Sequence, residues 1–282
     1  MYLGAHIATS DGLEKVPATA RAIGGETAQI FSKSPRTWGG PPIPPDLAAA
    51  FREAVRTEKL AATAIHHCYL TNLAAPKPQM YGLSKKTFLD ELGRAELLGV
   101  DAVIFHPGAH LGTGVETGLG KIADALRWAI DETPQGTARI LLENAAGQGT
   151  TLGSHFEELA TVLETVNAPA RLGIAIDLCH LFASGVDFRT PEGYGAAKDL
   201  IKGTVGLKAV GAFHLNDSKG ELGSHLDRHE NVGKGKIGLE GFRPWLNDRS
   251  WAKLPGYLET PYSDDEYTAY RADLAALHGL VG

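Results

Sequence analysis

The feature that most constrains the fold is a regular alternation of short apolar or β-branched runs with longer segments of helical spacing. Each run is followed by a polar or Gly/Pro-rich turn; the runs span residues 2–7, 27–31, 62–66, 102–106, 139–143, 172–177, 210–214 and 256–259. The helical segments span residues 13–23, 46–60, 84–98, 118–131, 154–166, 191–205, 239–246 and 264–280. Eight such repeats are typical of βα units, and runs that are apolar throughout indicate a parallel sheet buried on both faces. The sequence therefore predicts an α/β fold, an eight-stranded (β/α)8 TIM barrel with its active site at the C-terminal rim.

The length of the chain fits one such barrel. It has 282 residues, and a barrel of this kind typically needs about 250. Residues 39–45, the one Pro/Gly-rich stretch, are interpreted as a stiff loop between the second strand and the second helix rather than as a linker. We therefore expect residues 1–282 to form a single domain.

Local signals at the helix ends support the predicted helices. Residues 154–157 (SHFE) and 263–266 (SDDE) fit the capping-box pattern, in which a hydroxyl and a carboxylate satisfy free amides of the first turn. Gly24, Gly99 and Gly279 stand where helix C-caps are expected.

Composition excludes several classes of protein. Hydrophobic residues make up 43% and charged residues 21%, with no apolar run of the roughly 18 residues that a membrane span needs. The N-terminus enters a strand-like run at once and lacks the basic and apolar regions of a signal peptide. Two cysteines, Cys68 and Cys179, cannot form a disulfide framework. We therefore expect a cytoplasmic protein.

The net charge bears on possible partners. A formal charge of −6 argues by itself against nucleic acid, since phosphate binding depends on Lys and Arg. Three bound divalent cations would bring the total to zero and concentrate the added charge in one site.

Ionisable residues recur where the predicted strands end. Because the C-terminal ends of barrel strands share one rim, we expect these side chains to converge. The candidates are His66, His106, Glu143, Asp177, His180, His214, Asp227, His229 and Glu259. One histidine at a strand end is more often structural than a ligand, but several carboxylates buried together require cations. This set would serve two or three ions, and mixed imidazole and carboxylate ligands suit zinc or manganese.

The stretch at residues 213–229 carries the densest polar sequence. His214 follows the apolar residues 210–213, and Asp227 and His229 lie two apart, so both can point to one side of an extended segment. By contrast, Cys68 and Cys179 are interpreted as small buried side chains rather than ligands.

With these residues, the chain resembles the endonuclease IV family of zinc-dependent apurinic/apyrimidinic (AP) endonucleases of DNA base-excision repair. The resemblance runs nearly end to end. Its motifs are GAH (4–6), FSKSPRTW (31–38), HHCYLTNL (66–73), FHPG (105–108), LENAAGQG (142–149), IDLCH (176–180), the 213–229 stretch and LET (258–260).

The resemblance implies a trinuclear zinc centre. By analogy, one ion would be held by His66, His106 and Glu143; a second by Glu143, Asp177, His214 and Glu259; and a third by His180, Asp227 and His229. Manganese or iron could replace zinc at one position. Glu143 and Glu259 would be the catalytic carboxylates, the first bridging two ions and the second orienting the attacking water.

The activity implied is hydrolysis of the phosphodiester 5′ to an abasic site in duplex DNA, leaving a 3′-hydroxyl and a 5′-deoxyribose phosphate. The family bends DNA and flips the abasic nucleotide; the matching wedge and groove residues are Arg36, Tyr69 and Leu70. Further rim cations that could meet phosphates are Lys33, Lys219, Arg228, Lys234 and Lys236. We expect the enzyme to act as a monomer.

Two positions depart from the family pattern. His67 stands where a smaller or acidic residue is frequent, and Val186 replaces a common tyrosine.

Two other functions compete with this one. A xylose-isomerase-like sugar isomerase or epimerase would have the same barrel but no role for His180, Asp227 and His229. A DNA-damage binder without catalysis would not need the complete ligand set.

Overall fold

In the computed structural model, which describes residues 1–262 and 267–282, eight parallel strands close into a barrel. The barrel strands are β1 (Tyr2–His6), β2 (Thr27–Ile30), β3 (Ala62–His66), β4 (Ala102–Phe105), β5 (Arg139–Glu143), β6 (Leu172–Asp177), β7 (Val210–His214) and β10 (Pro255–Leu258). Each strand pairs with its neighbour along the chain, and β10 closes the ring between β7 and β1. The predicted TIM barrel is confirmed.

Helices follow the strands around the outside of this barrel. They are α1 (Val16–Ala22), α2 (Pro45–Thr57), α3 (Pro78–Leu98), α4 (Val115–Glu132), α5 (Phe156–Val166), α6 (Leu178–Ala183), α7 (Pro191–Gly203), α8 (Leu239–Asn247) and α9 (Thr268–His278). Two short strands, β8 (Asp217–Ser218) and β9 (His229–Glu230), pair antiparallel in the loop after β7.

Alternation along each strand divides the core into two parts. The large core cluster lies between strands and helices and takes one set of positions, such as Ile140 and Leu142 of β5. The other set faces the barrel interior, which is filled by Ala64, Ala102, Ile104, Leu141, Ala175, Ala212 and Tyr257. Because side chains of a strand alternate between faces, the residue two places after an interior one also points inward.

Several predicted helix boundaries differ from the structure. Helix α3 begins at Pro78, six residues before the predicted start, because a proline fits the first turn. The predicted capping box at Ser154 is wrong: α5 begins at Phe156 with His155 as its N-cap and no capping side chain. The second predicted box, at residues 263–266, lies outside the described residues. Gly99 ends α3 in the left-handed conformation, as expected of a C-cap.

The sequence pattern does not predict α6 or the β8–β9 pair. Both are too short for a periodic pattern, yet both present candidate ligands: His180 lies in α6 and His229 in β9.

Candidate metal centre

The barrel alternation turns the strand-end residues toward the axis. Glu143 is two residues after Leu141, Asp177 two after Ala175, and His214 two after Ala212, and all three reference residues face the interior. Glu143, Asp177 and His214 are completely buried. Strand geometry therefore brings together side chains that are far apart in the chain.

The first group comprises His66, His106 and Glu143. His66 Nε2 lies 3.2 Å from Glu143 Oε2, and His106 Nε2 lies 3.7 Å from the same oxygen. Each of the three residues offers a ligand atom within 4.8 Å of the others.

The central group adds three more residues to Glu143. His214 Nδ1 lies 2.9 Å from Glu143 Oε1, 3.4 Å from Glu259 Oε2 and 3.7 Å from Asp177 Oδ2. Glu143 thus belongs to two groups, with one oxygen directed to each.

The third group lies in the loops after β6 and β7. Asp227 Oδ1 is 3.2 Å from His180 Nε2 and 3.4 Å from His229 Nε2, and His229 Nε2 is 3.6 Å from Asp177 Oδ2. Both Nε2 atoms are buried and have no hydrogen-bond partner within residues 1–262 and 267–282. Buried nitrogens without a hydrogen-bond partner are expected where a bound metal ion would be the partner.

The imidazoles are held with one nitrogen free for a ligand bond. The Nδ1 atoms of His66, His180 and His229 face the backbone carbonyls of His67 (2.8 Å), Asn144 (2.9 Å) and Glu259 (3.3 Å). A ring that donates from Nδ1 keeps its Nε2 lone pair for a metal.

The spacing of the donor atoms fits zinc. Bonds of 2.0–2.1 Å in a tetrahedral site place two ligand atoms about 3.4 Å apart. Most distances within the three groups lie between 3.2 and 3.7 Å. Together with the imidazole and carboxylate chemistry, this spacing makes the residues suitable for zinc.

The pKa values of the buried residues also indicate a site for cations. Burial opposes the charge of Glu143, but His106 and His214 hold its pKa well below the usual value. Burial alone would lower the pKa of His214, but Glu259 and Glu143 raise it to about 9. Burial likewise opposes the charge of His180, but Asp177 and Asp227 raise its pKa well above the usual value. The metal-free cluster thus takes up protons to balance its carboxylates, and cations could replace those protons.

Three amide side chains support the ligands, and none of the three is among the residues predicted from the sequence. Gln29 accepts from His214 Nε2 at 2.9 Å and donates to Glu259 Oε1 at 2.6 Å. Asn216 donates to Asp177 Oδ2, and its oxygen accepts from the amide of Glu259. Asn144 bonds both backbone groups of Asp177. The available signal was Gln29 itself, a polar residue inside the apolar run 27–31.

Cys179 lies nearer the centre than the sequence suggested. Its ligand atom is within 4.8 Å of those of Asp177 and His229. Burial and the charge of Asp177 raise the pKa of the Cys179 thiol to about 12, and the thiol donates to the carbonyl of Arg228. This environment keeps the thiol protonated, whereas a zinc ligand would be a thiolate.

The three proposed DNA-contacting residues are exposed, and two of them, Tyr69 and Leu70, lie beside the metal groups. Tyr69 is 60% exposed and its ring centroid is 5.6 Å from that of His66; Leu70 and Arg36 are also exposed. Tyr69 and Leu70 line a cavity whose wall includes His106 and Asp227. Tyr69 and Leu70 therefore lie at the entrance to the candidate centre, and Arg36 is exposed in the loop after β2.

Several of the rim cations have carboxylate partners. Lys33 was expected to reach phosphates, and this is wrong: its side chain is 1% exposed, and Nζ pairs with Asp90 at 2.8 Å and Glu91 at 3.0 Å. Lys219 lies 3.9 Å from Glu230, and Lys236 lies 2.5 Å from Glu221, but both lysines remain about half exposed.

The two departures from the family pattern lie outside the metal groups. His67 is buried and bonds Glu91 through Nδ1 at 3.0 Å. Val186 is partly buried against the main core. Within the described residues, the helices are too short or too polar for any of them to cross a membrane.

Comparison with known proteins identifies the family. A family model described as a xylose isomerase-like TIM barrel matches residues 17–279. Probable endonuclease 4 of Chloroflexus aurantiacus is 44% identical, with 99% of this chain and 97% of the relative covered. Probable endonuclease 4 of Geobacter sulfurreducens is 41% identical, with coverages of 94% and 90%.

Solved structures agree with the sequence relatives. The crystal structure of endonuclease IV from Thermus thermophilus matches with a TM-score of 0.86 at 33% identity, covering 99% of this chain and 98% of that one. A 3-keto-D-glucoside 4-epimerase from E. coli matches with a TM-score of 0.70 at 13% identity, covering 99% of each chain, which is a likeness of fold alone. The chain belongs to the endonuclease IV family of xylose isomerase-like TIM barrels.

Proposed function

We propose that this protein hydrolyses the phosphodiester 5′ to abasic sites in duplex DNA, leaving a 3′-hydroxyl and a 5′-deoxyribose phosphate. The observation that carries the proposal is the third group, His180, Asp227 and His229, beside the other two in a chain of the endonuclease IV family. Three adjacent groups suit hydrolysis of a phosphate diester, in which negative charge must be compensated on both the attacking and the departing oxygens.

The ligand roles follow the three groups. His66, His106 and Glu143 would hold one zinc ion; Glu143, Asp177, His214 and Glu259 a second; and His180, Asp227 and His229 a third. Bound zinc supplies positive charge for the phosphate oxygens and lowers the pKa of a coordinated water to about 7. Manganese or iron at one position remains compatible with these ligands.

Glu259 is the residue suited to handle the proton of the attacking water. Among the carboxylates of the central group it is the accessible one, with a side chain 12% exposed, whereas Glu143 and Asp177 are at most 1% exposed. Gln29 donates to one of its oxygens at 2.6 Å, and the other oxygen lies 3.4 Å from His214 Nδ1 in the central group. Its role is to hold and orient water.

Contacts with DNA are assigned to Arg36, Tyr69 and Leu70. An exposed aromatic ring next to an exposed aliphatic side chain can fill the gap left by a flipped nucleotide, and a guanidinium can bind a phosphate or groove edge. We propose that all 282 residues act as one domain and as a monomer, in the cytoplasm or nucleoid where the DNA lies.

The direct test is nicking of a duplex oligonucleotide with one tetrahydrofuran abasic analogue, without added magnesium. We expect a single cut 5′ to the analogue, and no cut in the matched undamaged duplex. Lack of cleavage by protein shown by elemental analysis to hold about three zinc ions per chain would refute the proposal. Epimerisation of a ketose by the same sample would favour the sugar-epimerase alternative.

A further inference from the structure

A polar face of helix α3 lies against the loop of residues 31–44, which joins β2 to α2. Thr87, Asp90, Glu91 and Arg94 recur at intervals of three and four residues and therefore share one side of the helix. This loop carries Arg36, one of the proposed DNA contacts.

Glu91 is the centre of this polar face. One carboxylate oxygen accepts from Ser32 Oγ, and the other lies 3.0 Å from Lys33 Nζ and 3.0 Å from His67 Nδ1. Its side chain is 1% exposed, as is that of Lys33. Glu91 thus binds the start of the 31–44 loop and the start of the loop after β3.

Neighbouring residues of α3 fasten the rest of the 31–44 loop. Arg94 donates to the carbonyls of Ser32 (3.2 Å) and Pro41 (2.6 Å), and Thr87 donates to the carbonyl of Trp38 (3.1 Å). The backbone is therefore held on both sides of Arg36, whose own side chain is exposed.

The same carboxylate reaches toward a metal ligand. The carbonyl of His67, whose ring Glu91 holds, accepts from Nδ1 of His66 at 2.8 Å. His66 belongs to the first metal group. One buried side chain therefore connects the loop of Arg36 to the backbone that orients a ligand.

Charge explains why this contact is firm. Burial opposes the charge of Glu91, yet His67, Lys33 and Ser32 hold its pKa at about 2. A buried carboxylate that loses its cation is left with an uncompensated charge, which is costly. The contacts of Glu91 with Lys33 and His67 are therefore kept in the folded protein.

We propose that Glu91 is a positioning residue that holds the 31–44 loop, and with it Arg36, in the place where DNA is bound. The proposal rests on the proposed function only in taking Arg36 as a DNA contact. It assigns Glu91 no contact with DNA, water or metal.

The test is Glu91→Gln in the zinc-loaded full-length protein. We expect KM for the abasic duplex to rise by about tenfold, because the loop is no longer fixed before DNA arrives, with kcat within about twofold. Amide hydrogen exchange in residues 31–41 should accelerate, with zinc content unchanged. Exchange is measured without DNA, so this result does not depend on activity.

Asp248→Asn is the matched control. Asp248 pairs with Lys198 at 2.5 Å and accepts from Tyr194, so the variant also breaks an ion pair between helices. Asp248 precedes β10 and lies at the opposite end of the barrel from the metal groups. We expect a lower melting temperature with KM and loop exchange unchanged.

Lys33→Met/Glu91→Gln serves if the single variant does not fold, because it removes both buried charges together. The proposal is overturned if a folded Glu91 variant keeps wild-type KM and loop exchange, or if kcat falls with loss of zinc while loop exchange is unchanged. Failure of the wild-type enzyme to nick refutes the proposed function instead, and loop exchange still decides whether Glu91 holds the loop.

Discussion

Two clusters of buried carboxylates lie near the same rim of the barrel, and they are balanced differently. Glu91 has a permanent cation, Lys33, at 3.0 Å. Glu143, Asp177 and Glu259 instead face imidazoles, whose charge depends on protonation.

The difference distinguishes the Glu91 cluster, which stabilises the fold, from the metal groups, which can bind ions. Lys33 neutralises Glu91 within the folded chain, so that cluster is complete as it stands. In the central group, neutrality depends on cations that can be exchanged: protons on His180 and His214, or metal ions. Buried carboxylates therefore indicate a metal site when the only cationic side chains that face them, among the described residues, are histidines.

The largest effect of a single substitution is expected in the central metal group. Glu259→Gln should lower kcat for abasic DNA by about 10³-fold, because the amide cannot take a proton from water. Zinc content and DNA affinity should remain, which elemental analysis and fluorescence anisotropy measure. A variant that cleaves at close to the wild-type rate would remove Glu259 from catalysis.

The permanently balanced cluster should affect stability rather than chemistry. Glu91→Gln is expected to cost about 3 kcal/mol in the free energy of unfolding at pH 7, because the buried Lys33 loses one of its two carboxylate partners and His67 loses its ionised partner. The pKa of Glu91 is lowered from 4.5 to about 2 by folding, so its contribution is present above pH 4.5 and lost as the pH falls toward 2.

Denaturant unfolding of metal-free wild type and Glu91→Gln between pH 2 and 7 tests this dependence. The gap in unfolding free energy between the two proteins should close as the pH falls. A gap that is constant across this range would show that Glu91 does not carry a buried charge.

Metal removal should act on the three metal groups and leave the contacts of Glu91 intact. Zinc at about 100 times its Kd should stabilise the protein by about 2.7 kcal/mol, and dialysis against a chelator should remove both that stability and the activity. In the metal-free protein, the contribution of His214 is complete below pH 6.5 and is lost as the pH rises through about 9. The difference in melting temperature between zinc-loaded and metal-free protein should therefore grow with pH; a difference that shrinks would contradict this assignment.

The smallest effect concerns the two cations of the 31–44 loop. Arg36→Ala should weaken duplex binding and reduce the salt slope by about one, with stability unchanged, because this guanidinium is exposed. Lys33→Met should instead lower stability, because its Nζ is buried between two carboxylates. An unchanged salt slope for Arg36→Ala would remove it from the interface.

Much of the fold was predictable because it is periodic. The apolar runs predicted all eight barrel strands to within one residue at each end. Helix starts were less predictable: Ser154 has the residue type of a cap, but the chain there places His155 at the N-cap instead. Capping depends on backbone angles that residue type does not determine.

The candidate ligands were predictable for a related reason. His66, Glu143 and His214 occupy the last positions of strands, and the rim on which strands end is a property of the barrel. Gln29 and Asn216 could not be assigned in advance, because their hydrogen bonds join positions 39 to 230 residues apart.

The sequence by itself determined the barrel and the residue types at its rim, because alternation along a strand and the direction of parallel strands are local properties. The tertiary structure alone decided that Lys33 is a buried partner of Glu91 whereas Arg36, three residues later, is exposed. A lysine in a loop has the same local pattern in either case. Its environment is set by a helix more than 50 residues further along the chain, which only folding brings beside it.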